Sequence, residues 1–188
     1  LIKKSKSKCH KTLVSIYVNP KQFNNQKDFD NYPRNLSRDL NILKKLKVNF
    51  VFLPSTNEIF KEKREKKIIL TQKQKILCAK FRKGHFEGVL DIMDRLIKLI
   101  NPSYTFMGEK DFQQLFLVKK FIGKKYKNNI FPCKTVRNKN LLALSSRNFL
   151  LSKIDLKKAA QIAKYLFKLK FSIKKNIKIH NFLLIKKK

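Results

Sequence analysis

Apolar positions along this chain come in two alternating spacings. Residues 12–18 (TLVSIYV) are β-branched and aromatic until Asn19-Pro20 stops the run, which predicts a buried strand. A polar loop is expected over 21–33. Leu36, Leu40, Leu43 and Leu46 then recur at helical spacing with lysines between them, an amphipathic helix. Residues 48–53 (VNFVFL) predict a second strand, stopped by Pro54-Ser55. The stretch 61–75 is rich in Lys and Glu without a period and reads as a surface excursion. After Gly84-His85-Phe86, the positions Leu90, Met93, Ile97 and Ile100 predict a helix that Asn101-Pro102 ends. A short strand is expected at 104–107, a turn at 108–111, a helix at 112–122, and a strand at 130–136 whose Pro132 suits an edge or a bulge. Ser152, with Asp155 three residues on, opens a helix expected to run to residue 169, and from Ile173 the chain is Lys-rich with an apolar stripe.

Strand and helix thus alternate through residues 12–136. Connections of this length imply parallel strands joined by right-handed helical crossovers, an open α/β sheet. Such a sheet binds ligands beyond the carboxyl ends of its strands. Three loops follow strands: residues 19–23, residues 108–111 and the stretch after Val136.

Composition refines this picture. With 188 residues, 43% hydrophobic and 11% aromatic, the chain can bury a core and is not disordered as a whole. Lys+Arg number 46 against 12 Asp+Glu, a formal charge of +34. That balance favours anionic partners, whether nucleotides, nucleic acid or membrane surfaces. The lysines are spread over nearly every segment beside many Ile, Asn and Phe, so an AT-rich codon bias and a functional basic patch are both open as its cause. Three cysteines, Cys9, Cys78 and Cys133, form no CxxC pair, which argues against a metal cage or disulfide framework and for a reducing cytosol. No apolar run reaches the length of a membrane span and no signal peptide is visible. The first residue is Leu1, and 1–6 reads like the end of a helix already under way, so an N-terminally truncated reading is expected.

Several short segments carry candidate chemistry. In Gly108-Glu109-Lys110-Asp111, between a strand and a helix, glycine permits close approach, free N–H groups at the helix start can receive phosphate oxygens, and Lys110 adds a positive charge. Taken alone, an ordinary turn with a solvated lysine accounts for the tetrapeptide as well. Ser145-Ser146-Arg147-Asn148, after an apolar 141–144, offers two hydroxyls and a guanidinium to phosphate oxygens, or else a polar cap. Gln22, in the loop that begins at Asn19, can hold a hydroxyl or carboxylate without adding charge, although a plain turn accounts for the segment as well. Gln113 and Gln114 sit one turn into the helix after residue 108, where either can reach a ligand or face solvent. Arg82 and His85 flank Gly84, and the histidine is read as structural; His10 and His180 look incidental.

Five segments, VSIYVNPKQF (14–23), DNYPRNLSRDL (30–40), GHFEGV (84–89), GEKDFQQL (108–115) and LALSSRNFLLS (142–152), resemble in order and spacing the successive signatures of pantothenate synthetases. The likeness covers residues 1 to about 152 and moves the balance towards the phosphate and substrate readings. It implies a Rossmann-like parallel sheet of the nucleotidyltransferase type over 1–137, binding ATP and pantoate, and a shortened C-terminal helical piece over 138–188 that remains of a lid domain. The implied activity is an ATP-dependent, AMP-forming ligase that joins pantoate to β-alanine through a pantoyl adenylate. Lys110, Ser145, Ser146 and Arg147 then neutralise charge as diphosphate leaves. Gly108, Glu109, Lys110, Asp111, Val136, Leu144, Ser145, Ser146 and Arg147 bind ATP, which brings Mg²⁺. Gln22 takes pantoate and β-alanine and Gln114 takes pantoate, with Asn19 and Arg82 nearby. No protein metal site is expected. A cytoplasmic homodimer without membrane or nucleic-acid partner is implied.

The chain departs from that pattern at both ends. The Met-Gly and His-x-Gly-His segment, with the family's proton-donating histidine, is expected just before Leu1, and only about one helix and a Lys-rich tail follow Ser152. Two competing readings are an inactive, degraded copy and a basic nucleic-acid-binding protein on the same scaffold.

Overall fold

A computed structural model describes residues 1–20, 23, 26–32, 34–62 and 68–176. The chain divides into two compact units, one spanning Leu1–Lys134 and one beginning at Thr135.

The first unit opens with a short helix, α1 (Ile2–Lys6), followed by strand β1 (Leu13–Ser15). Helices α2 (Gln26–Asp30) and α3 (Leu36–Lys45) lead to β2 (Phe50–Phe52), which pairs parallel with β1 in the register Leu13↔Phe50. The α3 helix starts where Asn35 accepts the Arg38 N–H at 2.9 Å, a side-chain cap that satisfies one of the free first-turn donors. At its other end the Lys6 ammonium donates to the carbonyls of Leu46 and Lys47 at 2.9 and 2.8 Å, so a cation meets the negative end of the helix. The ladder is extended by Ile16 N–H to Phe52 O. Two expectations change here. The run 12–18 is only partly buried: Thr12 is 3% exposed but Leu13 is 40% exposed, and 16–18 lie between. The polar stretch 21–33 also contains the helix α2, whose Gln26 amide donates to Asp30 one turn on at 2.8 Å.

A four-residue cap, Ser55 with Glu58, opens α4 (Thr56–Phe60). Part of the expected surface excursion, 63–67, lies outside the described residues. The rest is not all surface: Leu70 is 2% exposed and belongs to the main core, and Ile68 packs against it, so the short apolar run 68–70 anchors the stretch. A single turn of helix, α5 (Cys78–Phe81), precedes the unit's longest helix, α6 (His85–Ile100). Gly84, at φ +74°, takes the left-handed turn between them, a conformation only glycine adopts without cost. Asn101, also left-handed, and Pro102 end α6.

Strand β3 (Tyr104–Gly108) runs into a 3₁₀ turn (Glu109–Asp111) and then α7 (Phe112–Val118). The helix continues through a π turn (Lys119–Gly123) and α8 (Lys124–Tyr126) to β4 (Asn129–Cys133), parallel to β3. A Cβ on Gly123 would sit 3.2 Å from Ile130, so the wide turn packs on β4 through the missing side chain. Pro132 faces Met107 in the register, and β4 pairs with β3 alone among the described strands, an edge position of the kind where proline is tolerated.

The four described strands form two separate parallel pairs, where one continuous sheet was expected. Each pair is closed by its own crossover helices, and α6 is the spine between their cores. Phe86, Val89, Leu90 and Ile97 join the large cluster with Met107, Leu117, Val118 and Ile130, while Ile92 and Leu96 meet Tyr17, Phe52 and Phe60. A helix apolar over this much of its circumference must be covered on two sides. Asp94 on α6 is 6% exposed and is neutralised by the Lys125 ammonium at 2.9 Å.

In the second unit an isolated antiparallel bridge, Arg137↔Ala143, closes a loop, and a 3₁₀ turn (Ser146–Leu150) precedes α9 (Lys153–Asn176). Ser152 accepts the Asp155 N–H at 3.1 Å and donates its hydroxyl to the Asp155 carboxylate at 2.6 Å. The helix runs past residue 169 to Asn176 because nothing from 153 to 176 is Gly or Pro.

Candidate active site

The turn after β3 sits where an α/β unit presents ligand-binding groups, at the carboxyl end of a parallel strand. Glu109, Lys110 and Asp111 are all exposed, and no side chain caps the turn. Gly108 has ordinary extended dihedrals, and a Cβ there would meet nothing closer than the Lys110 nitrogen at 4.0 Å. The chain's own packing therefore does not demand glycine, and the bare backbone leaves room for a ligand. One turn into α7, Gln114 is half-buried. Its neighbour Gln113 instead donates to the Ile76 carbonyl at 2.8 Å.

Asn19, at the end of the first strand run, is 2% exposed, and its amide donates to the Gly88 carbonyl in α6 at 3.3 Å. It ties the loop that follows to the spine helix. Gln22, in that loop, lies outside the described residues. Arg82 is half-buried at the C-cap of α5, its N–H bonded to Cys78 O at 3.0 Å. His85 is 9% exposed as the first residue of α6, edge-on to Phe86 with ring centroids 4.9 Å apart.

In the second unit the remaining candidates form one group. Leu144 N–H donates to Val136 O at 3.0 Å, which brings these two together across the closed loop. Asn138 holds the loop's tip by accepting from the N–H groups of Asn140 and Leu142, both at 3.0 Å. Ser145 is the N-cap of the following turn, accepting the Arg147 N–H at 3.3 Å, so Ser146 and Arg147 stand exposed on one short turn. The Asn148 amide donates to Ala143 O at 3.0 Å and braces the turn from behind.

Pattern reading did not rank Gln113 against Gln114, since neighbours on a helix differ only in phase. Asn138 gave no signal beyond turn chemistry.

The family model for pantoate-beta-alanine ligase matches residues 1–185. The chain belongs to the pantoate–β-alanine ligase family. Among members of this ligase family, the pantothenate synthetase of Leptospira biflexa is 42% identical over 164 residues, covering 86% of this chain and 58% of the relative. The solved ligase of Francisella tularensis, complexed with beta-gamma ATP and beta-alanine, superposes with a TM-score of 0.82 at 38% identity, over 87% of this chain and 64% of that one. Pantothenate synthetase from Thermus thermophilus gives 0.83 at 32%, over 89% and 61%. The chain thus spans somewhat under two thirds of these relatives' lengths. Its fold is that of the ligase family, a Rossmann-like α/β arrangement with parallel strands. No described helix is long and apolar enough to cross a membrane.

Proposed function

We propose that the protein is an ATP-dependent ligase that condenses pantoate with β-alanine. The observation that carries this reading is the exposed, uncapped turn bearing Lys110 at the carboxyl end of β3, in a chain whose Francisella tularensis relative is solved with beta-gamma ATP and beta-alanine. In the first step a pantoate carboxylate oxygen attacks the α-phosphorus of ATP. The bond to the bridging oxygen breaks, diphosphate leaves, and pantoyl adenylate remains. In the second the β-alanine amine attacks the activated carbonyl carbon, AMP leaves with the former carboxylate oxygen, and the amine sheds a proton.

An anion attacking a polyanion needs screening and alignment. Lys110, Ser145, Ser146 and Arg147 supply the screening as diphosphate departs. Gly108, Glu109, Asp111, Val136 and Leu144 hold the nucleotide. Gln22 and Gln114 hold pantoate through hydroxyl and carboxylate groups, Gln22 also meets β-alanine, and Arg82 adds charge beside them. Mg²⁺ enters as the cation of the MgATP substrate. The exposed carboxylates of Glu109 and Asp111 would offer oxygen donors of the class this ion takes when it arrives on the phosphates, and no resident metal site is proposed. We assign nucleotide and pantoate binding to 1–137 and closure of the site to 138–188. A cytoplasmic homodimer completes the reading.

The test is release of diphosphate from MgATP with and without pantoate, followed by addition of β-alanine. Pantoate-dependent diphosphate, then AMP and pantothenate in equal amounts, is expected. Release of ADP, or ATP turnover indifferent to pantoate, overturns the proposal.

A further inference from the structure

One backbone site in the first unit is held against its own preference. Leu77 has φ +51° and ψ −128°, dihedrals that suit glycine at the first central position of a type II′ turn. The turn closes where the Ala79 N–H donates to Ile76 O at 3.1 Å. That same carbonyl accepts the Gln113 side-chain amide at 2.8 Å, from a residue 37 positions away on α7. Relieving Leu77 requires rotating the peptide between Ile76 and Leu77. The rotation swings the Ile76 oxygen away from both donors, so the two hydrogen bonds and the strain oppose each other directly.

We propose that Gln113 is a positioning residue: its amide locks the Ile76–Leu77 peptide and thereby fixes the segment carrying Arg82 against the start of α7. The two elements it joins each carry candidate site residues. Gln113 lies two residues after Asp111 of the Lys110 turn. Leu77 immediately precedes α5, whose C-cap is Arg82 and which is followed by Gly84 and the first turn of α6. One N–H of the Gln113 amide is spent on the Ile76 carbonyl and its Oε1 is buried, so the paired glutamines divide the work: Gln114 is left for pantoate and Gln113 for geometry.

Removing one net hydrogen bond is expected to raise the pantoate KM about three- to tenfold, with kcat changed less. The kinetic arm rests on the ligase reading above; a second arm, amide hydrogen exchange over 77–82, does not. In the full chain, Gln113→Ala and Gln113→Glu, neither able to donate, should both raise the pantoate KM and speed exchange over 77–82. Adding Leu77→Gly to Gln113→Ala removes the strain and should return both readouts most of the way to wild type. Gln114→Ala should raise the KM without being rescued by Leu77→Gly. Unchanged exchange in Gln113→Ala, or failure of Leu77→Gly to rescue it, overturns the proposal. A wild-type protein without pantoate-dependent diphosphate release refutes the ligase reading instead, and the exchange arm then decides the role of Gln113 alone.

Discussion

Replacing Asn19 separates shape from hydrogen bonding in the loop that carries Gln22. The Asn19 amide is buried and donates to the Gly88 carbonyl 69 residues on, at 3.3 Å. Asn19→Ala deletes that donor and leaves a space the size of an amide. The Gly88 oxygen lies inside α6, where the helix itself supplies a donor, so little is added for an orphaned acceptor. A net hydrogen bond of roughly 1 kcal/mol plus a partial cavity gives about 1–3 kcal/mol. Asn19→Asp keeps the shape but sets a carboxylate oxygen against a carbonyl oxygen in a buried place. That change should cost more, about 2–4 kcal/mol at neutral pH. The sign of its pH dependence follows. Burial raises the carboxyl pKa in the folded state above its unfolded value of about 3.9. Protonation therefore favours folding, and the deficit should shrink as pH falls towards the unfolded value, where the neutral acid can donate as the amide did. Urea melts followed by circular dichroism at pH 7 and near pH 4 measure both variants. The order wild type, Ala, Asp at pH 7, with Asp recovering at pH 4, is expected. If Asn19→Asp is as stable as wild type at pH 7, the amide is not donating to Gly88 and the account of this loop is wrong.

Lys110→Ala should slow pantoate-dependent diphosphate release by tenfold or more, about 1.4 kcal/mol in transition-state terms, with no loss of thermal stability, since the side chain is exposed; an unchanged rate removes Lys110 from the mechanism. Gln22→Ala should raise the pantoate KM more than the ATP KM, and equal effects would mean the side chain only shapes its loop. Lys125→Met takes from the buried Asp94 carboxylate an ammonium that donates at 2.9 Å and whose own pKa that hydrogen bond raises; about 2 kcal/mol should be lost in a thermal melt, and a melt matching wild type would show the pair is dispensable. Hydrogen bonds from the Ser55 backbone and hydroxyl lower the Glu58 pKa, so the capping box contributes above the ordinary glutamate range and is lost as pH falls through the depressed value. Once divided by the intrinsic exchange rate at each pH, the protection of α4 amides should therefore fall on acidification in wild type but stay flat in Glu58→Gln, and parallel protection profiles would refute this.

What the sequence made legible was whatever depends on local period and local punctuation. Leu36, Leu40 and Leu43 marked α3, Asn101-Pro102 ended α6, and the turn between β3 and α7 fell where residues 108–111 were expected. Failures came where a distant partner decides. The first strand run looked buried because most of its residues are apolar, yet burial is a property of what lies opposite, and Leu13 is 40% exposed. Leu70 looked like surface because the stretch around it is Lys- and Glu-rich and without a period, yet it is among the least exposed core residues. The same distinction runs through the candidate site. Residue types capable of gripping phosphate or a hydroxy acid can be read from one dimension, because the chemistry is in the side chain. Which of them spends its hydrogen bonds inside the protein cannot, because the Gly88 carbonyl that takes up Asn19 and the Ile76 carbonyl that takes up Gln113 are 69 and 37 residues away. A glutamine pair on one helix turn is chemically degenerate until the fold assigns one member to the backbone. For that reason the rescue of Gln113→Ala by Leu77→Gly is more discriminating than any single substitution: it succeeds only if the long-range bond, and not the glutamine itself, is what the site needs.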